Sequence, residues 1–131
     1  MSHLTDKSST LQQAAVLLHQ NEMYPAVAHS AYYTCYQLMM HIWLNSMGKK
    51  ACELELSRRS SHRVLIDEVG KFIKCSNEKN SGYDSRAFKN EIWKLKKLRT
   101  SADYYNTPFD EAGSASALRL SSLVAPILKK Y

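Results

Sequence analysis

The stretch AYYTCYQLMMHIWL, residues 31–44, is the longest apolar region of the chain, and only Thr34, Gln37 and His41 interrupt it. Ala28, Ala31, Tyr32, Cys35, Tyr36, Met39, Met40 and Trp43 recur at helical spacing, while Val27, Tyr33, Leu38 and Ile42 make the other faces apolar too. A helix that is greasy all round must be covered on more than one side, so this segment predicts the central helix of a bundle. It falls short of the roughly 18 consecutive apolar residues that a bilayer crossing needs, and no other stretch reaches that length. Outward from it, Pro25 suits a first helical turn and Gly48 a left-handed C-terminal cap. One helix from about Glu22 to Met47 follows, roughly 35–40 Å long at 1.5 Å per residue.

The flanks carry the same period. Ser9-Thr10-Leu11-Gln12 has capping-box form, and Leu11, Ala14, Ala15 and Leu18 follow at i, i+3, i+4 and i+7, predicting a helix from near Ser9 to near Asn21. Lys49 to Ser60 reads as charged and turn-like, with Leu54 and Leu56 able to pack locally. A third helix is predicted over Ser61 to Lys74, with Leu65, Val69, Phe72 and Ile73 inward and Gly70 a mild weakness. The polar run Cys75 to Tyr83 predicts a mobile loop. Beyond it, Asp84 or Ser85 caps a helix whose Phe88, Ile92, Leu95, Leu98 and Ala102 share one face. Thr107-Pro108 announces a fifth helix, Asp110 and Glu111 suit its positive end, and Leu120, Leu123, Val124, Ile127 and Leu128 give its buried stripe, with Pro126 bending or ending the last turns.

These elements fit 131 residues as a single domain, 1–131, of all-α class: an antiparallel bundle of four or five helices. Four Gly and three Pro are too few for the turn-dense pattern of a sandwich or barrel. Eighteen Lys and Arg against 12 Asp and Glu leave a net charge of +6, which favours anionic partners such as nucleic acid, nucleotide or an acidic protein. Cys35, Cys52 and Cys75 are odd in number, widely spaced and without a C-x-x-C, so neither a disulfide framework nor a zinc motif is read from them. With a polar start from Met1 to Lys7 and no signal-peptide core, a reduced, cytoplasmic protein away from membranes is expected. His3, His19, His29, His41 and His62 form no metal-ligand pattern and read as surface or satisfied polar residues. Phosphate loops and hydrolase elbows are missing from the sequence, and no cofactor is implied.

Chemistry concentrates on the fourth helix. On a wheel at about 100° per residue with Phe88 at zero, Ile92, Leu95, Leu98 and Ala102 form an arc centred near about −20°. Arg86, Lys89, Lys94, Lys96 and Lys97 lie outside it and form a basic patch with Glu91 the one acid among them. That patch is either a solvated face or a phosphate-tracking one. Arg99 falls inside the apolar arc, at roughly +20°. A guanidinium there keeps its charge and needs an anionic or carbonyl partner. Asp103, four residues on, can hold it in a local ion pair; a phosphate reaching the helix end is the other reading, and the two are compatible. Tyr32, Tyr33, Tyr36 and Trp43 are read as core or dimer contacts, with base stacking as the alternative. The all-round apolarity of their helix makes self-association plausible.

Leu98-Arg99-Thr100-Ser101-Ala102-Asp103-Tyr104 resembles the L-R-x-x-A-D-Y signature of small bacterial and archaeal HEPN-domain proteins. Ala31-Tyr32-Tyr33 is similar to their A-Y-Y-A element, and Ser61-His62 to their S/T-H step, so with Tyr24 the resemblance spans nearly the whole chain in order. It implies a HEPN-like bundle, dimerisation through the central helices, and association with nucleotides, RNA or a partner nucleotidyltransferase in toxin–antitoxin pairs. The ribonucleases of that family are metal-independent and carry Arg, then four to six residues, then His, the imidazole taking the 2′-OH proton while Arg stabilises the phosphate.

Here Arg99 matches, but the positions eligible for the histidine hold Tyr104, Tyr105 and Asn106. A phenol titrates far above neutral pH and makes a poor general base. Arg58 and His62 fail the spacing as well, and Ser30 stands where related proteins often carry Arg. The expectation is therefore a homodimeric nucleotide- or RNA-binding module without nuclease activity, with Arg99, Asp103 and Tyr104 at the phosphate and a nucleotidyltransferase as the implied partner. Two alternatives stand beside it: a metal-independent endoribonuclease toxin using Arg99 with His62 or Tyr104, and a purely protein-binding module.

Overall fold

A computed structural model describes residues 3–55 and 60–131 of the chain; Met1, Leu56 and Arg58 lie outside them. Every regular element among the described residues is helical. Helix α1 spans His3–Gln20 and α2 spans Tyr24–His41, continuing into a π-helical turn over Ile42–Ser46. A short α3, Ala51–Glu55, is followed by α4, Ser61–Lys74, α5, Ser81–Tyr104, and α6, Glu111–Leu128. None of these helices is long and apolar enough to cross a membrane.

Several boundaries differ from the sequence reading for identifiable reasons. Helix α1 starts six residues before Ser9, because Ser8 is buried and its hydroxyl donates to the Thr34 carbonyl at 2.7 Å, a tertiary bond that holds the first turns against α2. At its other end Met23 N–H reaches Leu18 O and Glu22 N–H reaches His19 O, a Schellman closure that places Glu22, rather than a glycine, at φ 60°. Gly48 does occupy the expected left-handed position, at φ 66°, after the π turn closed by Met47 N–H to Ile42 O. The segment read as a turn after Lys49 contains α3, anchored by buried Leu54.

Helix α5 starts at Ser81, so the connecting loop is shorter than expected and neither Asp84 nor Ser85 is a cap. Both are buried inside the helix: Asp84 accepts from Tyr131 Oη at 2.7 Å and Lys130 Nζ at 3.2 Å, and Ser85 donates to Gly70 O at 2.8 Å. That last contact gives Gly70 a use, since α4 and α5 approach there with the Lys89 stem lying 3.1 Å from where a Cβ would be. Helix α6 is capped by Asp110, whose carboxylate accepts from Gly113 N–H at 3.0 Å, and Thr107-Pro108 belongs to the preceding connection. Leu123, expected in the core, is about half exposed, because α6 turns small residues, Ser114, Ala117, Ser121 and Ala125, towards its neighbours.

Paired residues fix the helix directions. Ser8 with Thr34, Gly70 with Ser85 and Asp84 with Tyr131 make each of α1–α2, α4–α5 and α5–α6 an antiparallel pair. His29 with Asp103 and Tyr33 with Arg99 do the same for α2–α5. Helix α4 differs: its first turn sits at Tyr32 through His62, and Glu68 lies near Lys49 beyond the end of α2, so α2 and α4 run parallel. Helix α4 therefore begins beside the middle of α2 rather than beyond its end.

The core is Ala28, Tyr32, Met39, Ile42 and Trp43 of α2 and its π turn, packed with Leu65, Ile66 and Ile73 of α4, Phe88, Ile92 and Leu95 of α5, and Leu120, Val124 and Leu128 of α6. Helices α1, α4, α5 and α6 all contact α2. Coverage of its several apolar faces is thus supplied within one chain, which removes the argument for self-association that rested on them.

Candidate functional site

The antiparallel register of α2 against α5 brings His29 beside Asp103 and Tyr33 beside Arg99. Positions 29 and 33 are one turn apart on α2, as 99 and 103 are on α5, so four side chains meet in one patch. The Arg99 side chain is mostly buried, at 14% exposure, and its Nε lies 3.0 Å from Asp103 Oδ2. The Nε–H is not aimed at that oxygen and has no hydrogen-bond acceptor among the described residues, so the contact is an ion pair only. The hydrogen bonds Arg99 makes to described residues both leave from Nη2, to the hydroxyls of Tyr33 and Tyr104 at 3.2 Å each. The guanidinium also lies 5.3 Å from the ring centres of Tyr33 and Tyr104 and 5.8 Å from that of Tyr32. Three aromatic faces and one carboxylate explain how the charge is tolerated where the helix wheel puts it.

The same Asp103 Oδ2 is 2.9 Å from His29 Nδ1. A carboxylate only accepts, so Nδ1 carries the hydrogen in this contact and Nε2 of a neutral ring keeps its lone pair. The His29 side chain is half exposed and its ring stands 4.8 Å from that of Tyr33. The sequence reading gave His29 as a surface or satisfied polar residue and did not connect it to Asp103; the local signal for the site was its position a turn before Tyr33.

His62, the base candidate from the sequence, approaches the cluster from the first turn of α4. Its ring stacks on Tyr32 and packs 4.7 Å from Tyr36, and its Nδ1 is 2.8 Å from the Tyr32 hydroxyl. Burial, with help from the charges of Arg99 and Lys96, holds this imidazole below the ordinary histidine range. Burial likewise pushes the Tyr32 phenol well up, so it keeps its proton. The fully buried hydroxyl is satisfied when it donates to Nδ1, which places the imidazole hydrogen on Nε2. In that tautomer His62 has no outward lone pair to accept a proton. Tyr104 is exposed and tied to Arg99.

The basic residues of α5 lie along two grooves. Lys94, Lys96 and Lys97 line one of about 360 Å³ together with Trp93, Thr100 and Tyr105, next in sequence to Arg99 and Tyr104. Arg86 and Lys89 line the other, of about 390 Å³, where Lys71 and Lys74 of α4 join them. Arg63 of α4 stands 6.0 Å from the Trp93 ring, so α4 adds cations to the face that the α5 sequence pattern alone defines. Of the four aromatic residues singled out on α2, Tyr32 and Trp43 are core, while Tyr33 and Tyr36 are partly buried at the site. Trp43 donates its Nε1–H to Lys50 O at 2.9 Å. Cys35 is buried with its thiol pushed up to about 12 by desolvation, which leaves it protonated and inert at neutral pH. Comparisons with family models, with curated proteins and with solved structures return no match to this chain.

Proposed function

We propose that this chain is a HEPN-like module that binds single-stranded RNA through its phosphates, with Arg99 as the anchor. The observation that carries the reading is a guanidinium held among three aromatic rings, with its hydrogen bonds made to two phenol hydroxyls. An Arg held mostly out of water meets an anion with little further desolvation, and a phosphate offers its planar fork two oxygens to bridge. The groove of Trp93, Lys96, Lys97 and Tyr105 adds stacking surfaces and cations beside it, which favours an extended strand over a lone nucleotide. The helix order and the Arg99, Asp103 and Tyr104 cluster support the family resemblance.

Titrating the full chain against a fluorescent single-stranded RNA tests this. Affinity is expected to fall steeply with added salt, as counterion release requires, and Arg99→Ala to weaken binding by about tenfold or more, the loss of one charge-assisted contact of roughly 1.5–3 kcal/mol. Equal binding by Arg99→Ala overturns the anchor. Binding of a nucleoside triphosphate but no RNA overturns the strand, and stable capture of a nucleotidyltransferase with neither leaves the protein-binding alternative.

A further inference from the structure

We propose that the groove between α4 and α5 is a second anion site, separate from Arg99, that takes a short chain of linked phosphates, either free inorganic triphosphate or the triphosphate end of a nucleotide. It stands independently of the RNA-binding reading above.

A backbone contact builds the groove. Ser85 donates to Gly70 O at 2.8 Å and so clamps the later turns of α4 against the start of α5. Gly70 brings no side chain to this crossing, and the stem of Lys89 fills the space, 3.1 Å from where a Cβ would stand. Lys89 is thereby laid across α4, and it lines one groove of about 390 Å³ with Arg86 of its own helix and Lys71 and Lys74 of the other. Lys71 and Lys74 are one turn apart, as are Arg86 and Lys89, so each helix turns two mutually repelling cations to the same side. Gly70, Gly82 and Ser85 complete the lining, and no carboxylate belongs to it among the described residues. Asp84, beside Ser85 in sequence, is turned instead to Lys130 and Tyr131. Glu68 lies 3.6 Å from Lys71 but also 3.8 Å from Lys49, and the lysine end of the Lys71 pair is exposed, so it offsets little of the groove's charge.

The lining also selects the anion. A lone phosphate is too small to engage two cations from each of two helices. An RNA strand spaces its charges along a backbone and carries bases that need a surface to stack on. The groove near Arg99 supplies Trp93 and Tyr105 for that purpose, whereas the α4–α5 groove has no aromatic residue among those described. Linked phosphates concentrate charge without bases, and Arg86 offers them a planar fork among the lysines. A Cβ added at Gly82 would meet nothing within 4 Å, which leaves that side of the groove open to an entering chain. The two grooves share no lining residue, and Arg99 lies roughly 15 Å beyond Lys89 along α5 at 1.5 Å per residue.

The test titrates inorganic triphosphate into the full chain by calorimetry and follows Tm alongside, at fixed ionic strength and without divalent metal ions. One-to-one binding with a raised Tm is expected; an equal effect from orthophosphate at the same ionic strength, or no binding of triphosphate, overturns the site. Lys74→Gln combined with Arg86→Gln, both exposed, is expected to weaken triphosphate binding by about tenfold or more. Lys7→Gln combined with Lys129→Gln removes the same charge from elsewhere on the surface and should leave binding nearly unchanged. Equal losses in the two double variants report diffuse attraction and overturn the site. Tighter binding of ATP than of free triphosphate assigns the nucleotide source and the reverse assigns the free chain, both upholding linked phosphates as the recognised group; binding of adenosine overturns it. Arg99→Ala should weaken RNA while sparing triphosphate, so a failure to bind RNA overturns only the earlier reading. RNA binding that falls in Lys74→Gln with Arg86→Gln while triphosphate binding does not makes the groove part of the strand's path and overturns this assignment.

Discussion

Arg99 and His62 are ionisable side chains set against the same two rings, Tyr32 and Tyr33, and the fold treats them differently. The guanidinium cannot give up its charge, so it recruits Asp103 and the phenols; the imidazole can, so burial and its cationic neighbours keep it neutral. The sign of the consequence follows. Because the folded pKa lies below the unfolded one, the denatured chain binds a proton that the fold refuses, and stability is lost as pH falls through the ordinary histidine range near about 6.5. Thermal melts from about pH 7 to about pH 5 should therefore decline less steeply for His62→Gln than for the parent chain, even with a lower starting Tm. The position of Arg99 in an apolar arc was legible in the sequence, because helical geometry alone puts it there. His29 was not, since its carboxylate lies 74 residues away and the period of one helix does not say which faces of two helices meet.

Single helices were legible to differing degrees for a related reason. Helix α4 follows its predicted bounds because its inward residues repeat cleanly between polar ends, whereas α1 extends past its capping-box signal because Ser8 finds a partner on another helix. The π turn and α3 depend on tertiary contacts of Trp43 and Leu54, which periodicity does not reveal. The end of α1 carries a local conflict, a glutamate in the left-handed conformation that glycine adopts without steric cost. Glu22→Gly should stabilise the protein by about 0.5–1 kcal/mol, seen as a higher Tm, because the Schellman hydrogen bonds stay and the backbone strain goes. An unchanged or lower Tm would show that the strain is already relieved there.

For the whole molecule, the sequence was enough for an all-helical bundle around α2 but not for its connectivity. Short loops make neighbours antiparallel, whereas α4 begins beside the middle of α2 and runs parallel to it. That parallel placement puts His62 on the Tyr32 ring at the edge of the Arg99 cluster, so the patch draws on α2, α4 and α5 rather than on one motif. The doubly used oxygen of Asp103 also makes distant parts of the chain thermodynamically interdependent. Replacing His29 or Arg99 alone already leaves that carboxylate short of a companion, so removing both should cost a different amount of stability from the two separate losses added together. A double-mutant cycle by chemical denaturation should register this coupling at roughly 0.5 kcal/mol or more, and strict additivity would mean that the imidazole and the guanidinium are indifferent to each other.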